Sequence, residues 1–173
     1  MPGLAITTVK RTGLSLVVVA MLAMWIYALV FSPRESINKI GDEAWAARAE
    51  SLCLIAKNEI NELADYRLIT SESDLAERAT LVRQATSILQ AMVSSIASAE
   101  PTDDKGQAIV PLWLADYQTY LGDRDDYAIL LEQGTNAPFA ETQVDGLPLS
   151  EKITTFANDN RMPACSPPRD LSV

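Results

Sequence analysis

The strongest constraint on this chain is one long apolar run that contains no acidic or basic side chain. The run covers residues 14–31, which is 18 residues, and lies between Arg11 and Arg34. As a helix it would extend roughly 27 Å, close to the hydrocarbon core of about 30 Å in a bilayer. Pro33 is expected to end that helix. The run therefore predicts a transmembrane helix at residues 14–31, with the lipid bilayer as its partner.

Two other interpretations of this run are a cleaved signal peptide and a buried core helix of a soluble protein. A signal peptide has an apolar core of about 7–15 residues followed by a small-residue cleavage site. Here the run is longer, and no Ala-x-Ala site follows it. The nearest approximation is Val30-Phe31-Ser32, in which Phe31 is bulky. An uncleaved anchor is the favoured interpretation.

The anchor divides the sequence into a cytoplasmic tail at residues 1–13 and an extracytoplasmic domain at residues 32–173. Lys10 and Arg11 flank one side of the run, while Arg34, Lys39 and Arg48 follow the other. Because basic residues lie on both sides, their distribution alone does not set the orientation. The short basic tail and the cysteines favour a cytoplasmic N-terminus. The predicted location is the cell membrane, with a single span and the C-terminal domain outside.

The domain after the anchor is strongly acidic. All 23 acidic residues follow Phe31, against 12 basic residues, so this part carries a net charge of −11. Such a surface repels phosphate backbones, so nucleic acid is not expected as a partner. The chain also contains no histidine, the usual general base near neutral pH and the commonest metal ligand. No cofactor and no metal site are predicted.

The two cysteines, Cys53 and Cys165, predict one structural disulfide. They are too few for a zinc site without histidine, and they do not form a Cys-x-x-Cys motif. An even pair in an exported domain is typical of a disulfide. The bridge would tie a proline-rich segment, residues 162–168, to the first helix after the anchor. Two unrelated buried thiols are the alternative.

Hydrophobic periodicity predicts three longer helices, at residues 35–68, 73–99 and 105–133. The second could pair with another chain as a coiled coil, but packing within the chain is favoured. The run Thr102-Asp103-Asp104 would cap the third helix, and Gly134 would end it. Each helix has one stripe of residues that is expected to face the core. The stripes are, for the first helix, Leu52, Cys53, Ala56, Ile60, Leu63 and Ala64; for the second, Leu75, Val82, Ala85, Leu89, Met92 and Ile96; and for the third, Trp113, Tyr117, Tyr120, Arg124, Tyr127 and Leu131.

The pattern changes after Gly134. Residues 139–149 alternate weakly around Asp145-Gly146, a dipeptide that favours a two-residue hairpin. Ser150 is expected to cap a short helix that runs to about residue 158, and Asn160 to end it. The fold class is thus mainly α: a transmembrane helix followed by a small helical bundle with a minor β-hairpin and one disulfide.

Four residues of the third helix form the candidate ligand pocket: Trp113, Asp116, Tyr120 and Arg124. A polar group between aromatic walls is typical of small-ligand sites. A structural ion pair beside a tyrosine-rich core is the alternative. The acidic stretch 122–126 lacks the spacing of a calcium loop and is predicted to be a solvated helix face with Asp–Arg pairing. No catalytic motif is present, so an enzyme is disfavoured.

Several runs of the sequence resemble a group of uncharacterised bacterial membrane-anchored proteins with one N-terminal span and a cysteine near the C-terminus. The runs are WLADY at 113–117, YL at 120–121, DRDDYA at 123–128 and FANDNRMPAC at 156–165. The resemblance implies a protein of the cell envelope and carries no activity. The leading hypothesis is a binding or scaffolding protein within or beside an envelope complex, with a protein partner. The alternative is a helical ligand-sensing domain that acts through a partner membrane protein.

Overall fold

The computed structural model describes residues 3–31, 36–63 and 71–171 of the chain. Within these residues the fold is mainly helical, as predicted, with a two-stranded hairpin late in the chain. The chain divides into two units, residues 1–36 and residues 37–173. The elements are α1 (Gly3–Phe31), α2 (Glu43–Leu63), α3 (Glu72–Ala97), α4 (Asp104–Glu132), β1 (Gln143–Val144), β2 (Leu147–Pro148), α5 (Leu149–Asp159) and a 3₁₀ turn (Pro163–Cys165).

The first unit contains helix α1. Every described side chain of residues 17–31 is exposed, including Trp25 at 57% and Phe31 at 68%. As far as the chain is described, none of its helices combines the length and the apolar character that a membrane crossing requires. The transmembrane helix expected at residues 14–31 therefore stays a prediction.

Helix α2 begins at Glu43, so the prediction that this helix starts at residue 35 was wrong. Residues 36–42 form turns and irregular backbone, and the side chain of Asp42 accepts a hydrogen bond from the backbone N–H of Trp45 at 2.8 Å. An aspartate in this position satisfies an orphan N–H of the first turn, which fixes where a helix begins. The described helix ends at Leu63, and the rest of the predicted segment, up to residue 68, lies outside the described residues.

Helix α3 lies close to its predicted position. Ser71 and Asp74 form a capping box, in which each side chain accepts from the other residue's backbone N–H. The seven-residue seam from Leu75 to Ile96 is buried against α2 and α4, so the periodicity reports packing within the chain. The predicted seam of α4, from Trp113 to Leu131, is buried as well.

Two aspartates cross-connect the starts of α2 and α4. The carboxylate of Asp42 caps α2 and also accepts from the backbone N–H and the hydroxyl of Thr102, at 2.9 Å and 2.8 Å. Bonds from the backbone N–H of Trp45 and from Thr102 lower the pKa of Asp42, because they stabilise its charged form.

The carboxylate of Asp103 caps α4 in the same way. It accepts from the N–H of Gly106 within α4, at 2.8 Å. It also accepts from the N–H groups of Gly41 and Asp42, just before α2, at 3.1 Å and 2.9 Å. Partial burial opposes the charged form, but these three donors outweigh it and lower the pKa of Asp103. Each aspartate thus caps its own helix and holds the start of the other.

The close packing at the start of α4 leaves no room for a side chain at Gly106. A Cβ atom at this position would lie 2.6 Å from Cβ of Pro101 and 2.7 Å from Oδ1 of Asp103. We expect Gly106→Ala to lower the free energy of unfolding by about 1–3 kcal/mol through overpacking. Gly122→Ala in the same helix is the matched control, because a Cβ there meets nothing within 4 Å. That control should gain up to about 1 kcal/mol from helix propensity, and equal effects in urea titrations would contradict the role of Gly106.

The hairpin forms at the predicted dipeptide. Val144 pairs with Leu147, and the two turn residues between them have positive φ, 55° at Asp145 and 79° at Gly146. Positive φ at both central positions matches the twist of a two-residue hairpin, which explains the preference for Asp-Gly.

Helix α5 begins at Leu149, and the prediction that Ser150 caps it was wrong. The N–H and hydroxyl of Ser150 instead donate to the carboxylate of Glu141, at 2.7 Å and 2.8 Å. The cap therefore comes from a residue before the hairpin. Asn160 ends the helix as predicted, and its side chain accepts from the N–H of Ile40 at 2.8 Å.

The predicted disulfide is present. The sulfurs of Cys53 and Cys165 lie 2.02 Å apart, and both residues are fully buried. The bridge joins the 3₁₀ turn to the middle of α2. Two further contacts hold this turn: the N–H of Ala164 donates to Glu50 at 2.9 Å, and the hydroxyl of Tyr117 donates to the carbonyl of Cys165 at 2.9 Å.

Candidate functional site

A groove of ≈ 350 Å³ lies between α4, the hairpin and α5 in the second unit. It combines an apolar wall with several charged side chains at its edge, the composition expected of a binding site. The lining residues are Asn38, Ile109, Leu112, Trp113, Asp116, Val144, Asp145, Leu147, Glu151, Lys152, Thr155 and Phe156.

Trp113 forms the rigid floor of this groove. Its side chain is 2% exposed and stacks on Phe156 with the ring centroids 5.1 Å apart. Its indole N–H donates to the carbonyl of Ile153 at 3.3 Å, which satisfies the one polar atom of the ring. Because packing and a hydrogen bond both fix the ring, the floor is pre-formed.

The two lips of the groove are apolar and exposed. Leu112 of α4 is 63% exposed, and Leu147 of β2 is 51% exposed. The two leucines extend the apolar surface of the groove out to solvent. Apolar surface that continues from a concave floor to its lips is typical of interaction sites.

The charged edge carries more acid than base. Lys152 donates to the carboxylate of Asp116, with a shortest distance of 2.8 Å. The side chain of Asp116 is 18% exposed and that of Lys152 is 50% exposed. Asp145 and Glu151 are both exposed and also line the groove. Three carboxylates and one ammonium give this edge a negative charge.

Two of the four predicted pocket residues, Trp113 and Asp116, lie in this groove. Tyr120 and Arg124 are not among its lining residues, so this groove brings together two of the four predicted residues. Helical periodicity placed them on one face, but that face is mostly covered by the bundle. Sequence reasoning missed three residues of the groove: Val144, Leu147 and Lys152. Their approach to α4 depends on how the hairpin and α5 pack, which no local sequence pattern indicates.

Arg124 belongs instead to a buried network at the C-terminal end of the chain. Its guanidinium donates two hydrogen bonds to Asp170, at 2.9 Å and 2.6 Å, and Nε donates to the hydroxyl of Thr86 at 3.0 Å. Arg124 is 0% exposed. Burial disfavours the charged guanidinium, but Asp170 outweighs burial, so the pKa of Arg124 is raised. The alternative interpretation, a structural ion pair, therefore describes Arg124, with a partner that the sequence did not indicate.

The tyrosines near Arg124 are structural as well. Burial raises the pKa of Tyr117 far above its ordinary value, and burial also raises the pKa of Tyr120. Both phenols therefore stay neutral at physiological pH. Edge-on ring contacts join Tyr117 to Trp113 and to Tyr120, at 5.5 Å and 6.3 Å between centroids. This aromatic row fills the core beneath the groove.

The acidic stretch 122–126 has a local structural role. Asp123 accepts from the N–H and the hydroxyl of Thr142, at 2.7 Å and 2.9 Å, and thereby holds the segment before β1 against α4. The expected pairing within this stretch was wrong for Arg124, which points inward to Asp170. Among the described residues, no group of three or more acidic, cysteine or histidine side chains is arranged to hold a metal ion.

Comparisons of the chain with known protein families, with curated proteins and with solved structures found no match.

Proposed function

We propose that this chain is a membrane-anchored binding or scaffolding protein of the cell envelope. Residues 14–31 would anchor it in the bilayer, and residues 32–173 would form an extracytoplasmic helical module that binds a protein partner. The observation that carries the proposal is the apolar surface of α1, where residues 17–31 include no charged side chain and are all exposed.

Transfer of the apolar side chains of α1 from water to lipid would stabilise the proposed anchor. Each large apolar side chain gains about 1.5–3 kcal/mol when it leaves water. Twelve large apolar residues between Val17 and Phe31 are at least 49% exposed, so their transfer to lipid would be strongly favourable. A soluble monomer rarely presents such a continuous apolar surface to water.

The second unit supports the binding role. It has its own core and disulfide, and the Trp113 groove offers an apolar, negatively edged surface. The disulfide also supports the proposed outside location, because disulfides persist in oxidising compartments. The alternative, a ligand-sensing domain that acts through a partner membrane protein, stays a prediction from the sequence. We assign no reaction to the module.

Vesicle flotation of the full chain tests the anchor. With phosphatidylcholine vesicles, we expect the wild-type chain to float and to resist extraction by high salt and by alkaline carbonate. The matched variant Leu22→Lys/Ile26→Lys should partition to the soluble fraction, because each lysine at the centre of a span costs about 2.5–3.5 kcal/mol. Release of the wild-type chain by carbonate, or equal flotation of the variant, would overturn the proposed anchor.

A further inference from the structure

We propose that the Trp113 groove binds a short peptide segment of a protein partner, in which one or two large apolar side chains are flanked by lysine or arginine. The proposal rests on the proposed binding function and deepens it by naming the chemistry of the partner.

The apolar part of the segment follows from the shape of the groove. A volume of ≈ 350 Å³ above a pre-formed indole floor accommodates one or two large side chains. Interfaces obtain most of their affinity from such anchors, which insert into well-packed apolar pockets. Because Trp113 is already fixed by Phe156 and by the carbonyl of Ile153, little ordering is needed on binding.

The basic part follows from the charged edge. Asp116 already pairs with Lys152 on one side of the groove, while Asp145 on the hairpin and Glu151 on α5 add two further negative charges. Basic residues on either side of an apolar anchor would meet these carboxylates. The domain as a whole carries −11, which steers basic segments toward it and repels acidic ones.

The same features argue against other occupants. A small molecule would lie between the exposed lips Leu112 and Leu147 with one side in water, whereas ligand pockets bury about 70–90% of a ligand's surface. Anionic lipid would be repelled by the acidic edge. A second copy of the chain would bring the same negative charge to the interface. A basic segment supplied by another protein meets both the apolar lips and the charge.

The test measures fluorescence polarisation of labelled peptide pools with the full chain in phosphatidylcholine nanodiscs. One nonapeptide pool has central pairs drawn from Leu, Ile, Phe and Trp flanked by lysines. The second has the same central pairs flanked by glutamates, and the third has serines flanked by lysines. We expect the first pool to bind at least about tenfold more tightly than the others. Its affinity should fall as the salt concentration rises from about 50 to 500 mM.

The matched variants separate the groove from the rest of the surface. Leu112→Lys/Leu147→Lys changes only exposed lips and should weaken binding of the first pool about tenfold or more. Leu54→Lys is the control, because Leu54 is an exposed leucine of α2 at 49% and does not line the groove. It should leave the affinity within about twofold.

Three results would overturn the proposal: equal binding of all pools, equal loss in the control variant, or a peptide-free dimer that the lip variant converts to a monomer. The last result would identify a second copy as the occupant. Peptide binding by the Leu22→Lys/Ile26→Lys variant in buffer keeps the groove assignment even if the wild-type chain fails to float. A wrong assignment of the groove can therefore be distinguished from a wrong assignment of the membrane anchor.

Discussion

Replacing Asp170 by alanine is expected to lower the free energy of unfolding by about 3–5 kcal/mol, because it leaves the buried guanidinium of Arg124 without its charge partner. Arg124 is 0% exposed, and its guanidinium donates two hydrogen bonds to the carboxylate of Asp170. The hydroxyls of Thr86 and Tyr120 would remain near the charge but cannot neutralise it. A urea titration would measure the loss. Its readout is the fluorescence of Trp45 and Trp113 in a Trp25→Phe background.

An exposed ion pair provides the control. Arg83 and Glu132 also form a two-bond pair, at 2.6 Å and 2.8 Å, but their side chains are 43% and 46% exposed. Glu132→Ala should therefore lower the free energy of unfolding far less than Asp170→Ala does, because solvent screens an exposed pair. If Asp170→Ala costs as little as this control, water reaches Arg124 and the buried pair does not hold the C-terminal segment.

A double variant separates the pair's net contribution from the cost of an unpaired charge. Arg124→Met/Asp170→Ala removes both charges and replaces the guanidinium by an apolar side chain that can repack. Buried ion pairs replaced in this way often lose little stability or gain some. We expect the double variant to recover most of the loss of Asp170→Ala. A double variant as unstable as the single one would indicate that packing around the arginine stem dominates.

The helices were predictable because their signals are local. The seam from Leu75 to Ile96 repeats every seven residues, so burial of one face follows from the sequence alone. The Asp145-Gly146 turn was equally local, since its backbone conformation depends on two residues. The disulfide was predictable for a different reason: with only two cysteines in the chain, there is one possible intrachain pairing.

The candidate site was less predictable because its residues meet through tertiary packing. Arg124 and Asp170 are 46 positions apart, and nothing near Asp170 in the sequence marks it as a buried partner. Helical spacing places Trp113 and Asp116 on one face of α4, and both line the groove, whereas the approach of Leu147 and Lys152 depends on the orientation of the hairpin and α5. Ser150 illustrates the same limit, since the carboxylate that bonds it lies before the hairpin.

Removal of the disulfide is expected to have an effect of similar size. In the chain-entropy treatment, opening a loop between residues 112 positions apart costs about 4–5 kcal/mol of stability, within the range of about 2–5 kcal/mol seen for native disulfides. Cys53→Ala/Cys165→Ala should therefore shift the urea midpoint strongly. The 3₁₀ turn should nevertheless stay docked in the folded state, because Glu50 and Tyr117 still bind it.

Two measurements distinguish this unfolded-state effect from local detachment of the turn. Native-state hydrogen exchange at Ala164 should remain protected in the double variant, since the carboxylate of Glu50 still accepts from its N–H. Glu50→Ala is the local control and should lose about 1 kcal/mol with the disulfide intact. If the double variant loses protection at Ala164 while the urea midpoint hardly changes, the disulfide only holds the C-terminal segment in place locally. It then does not stabilise the bundle as a whole.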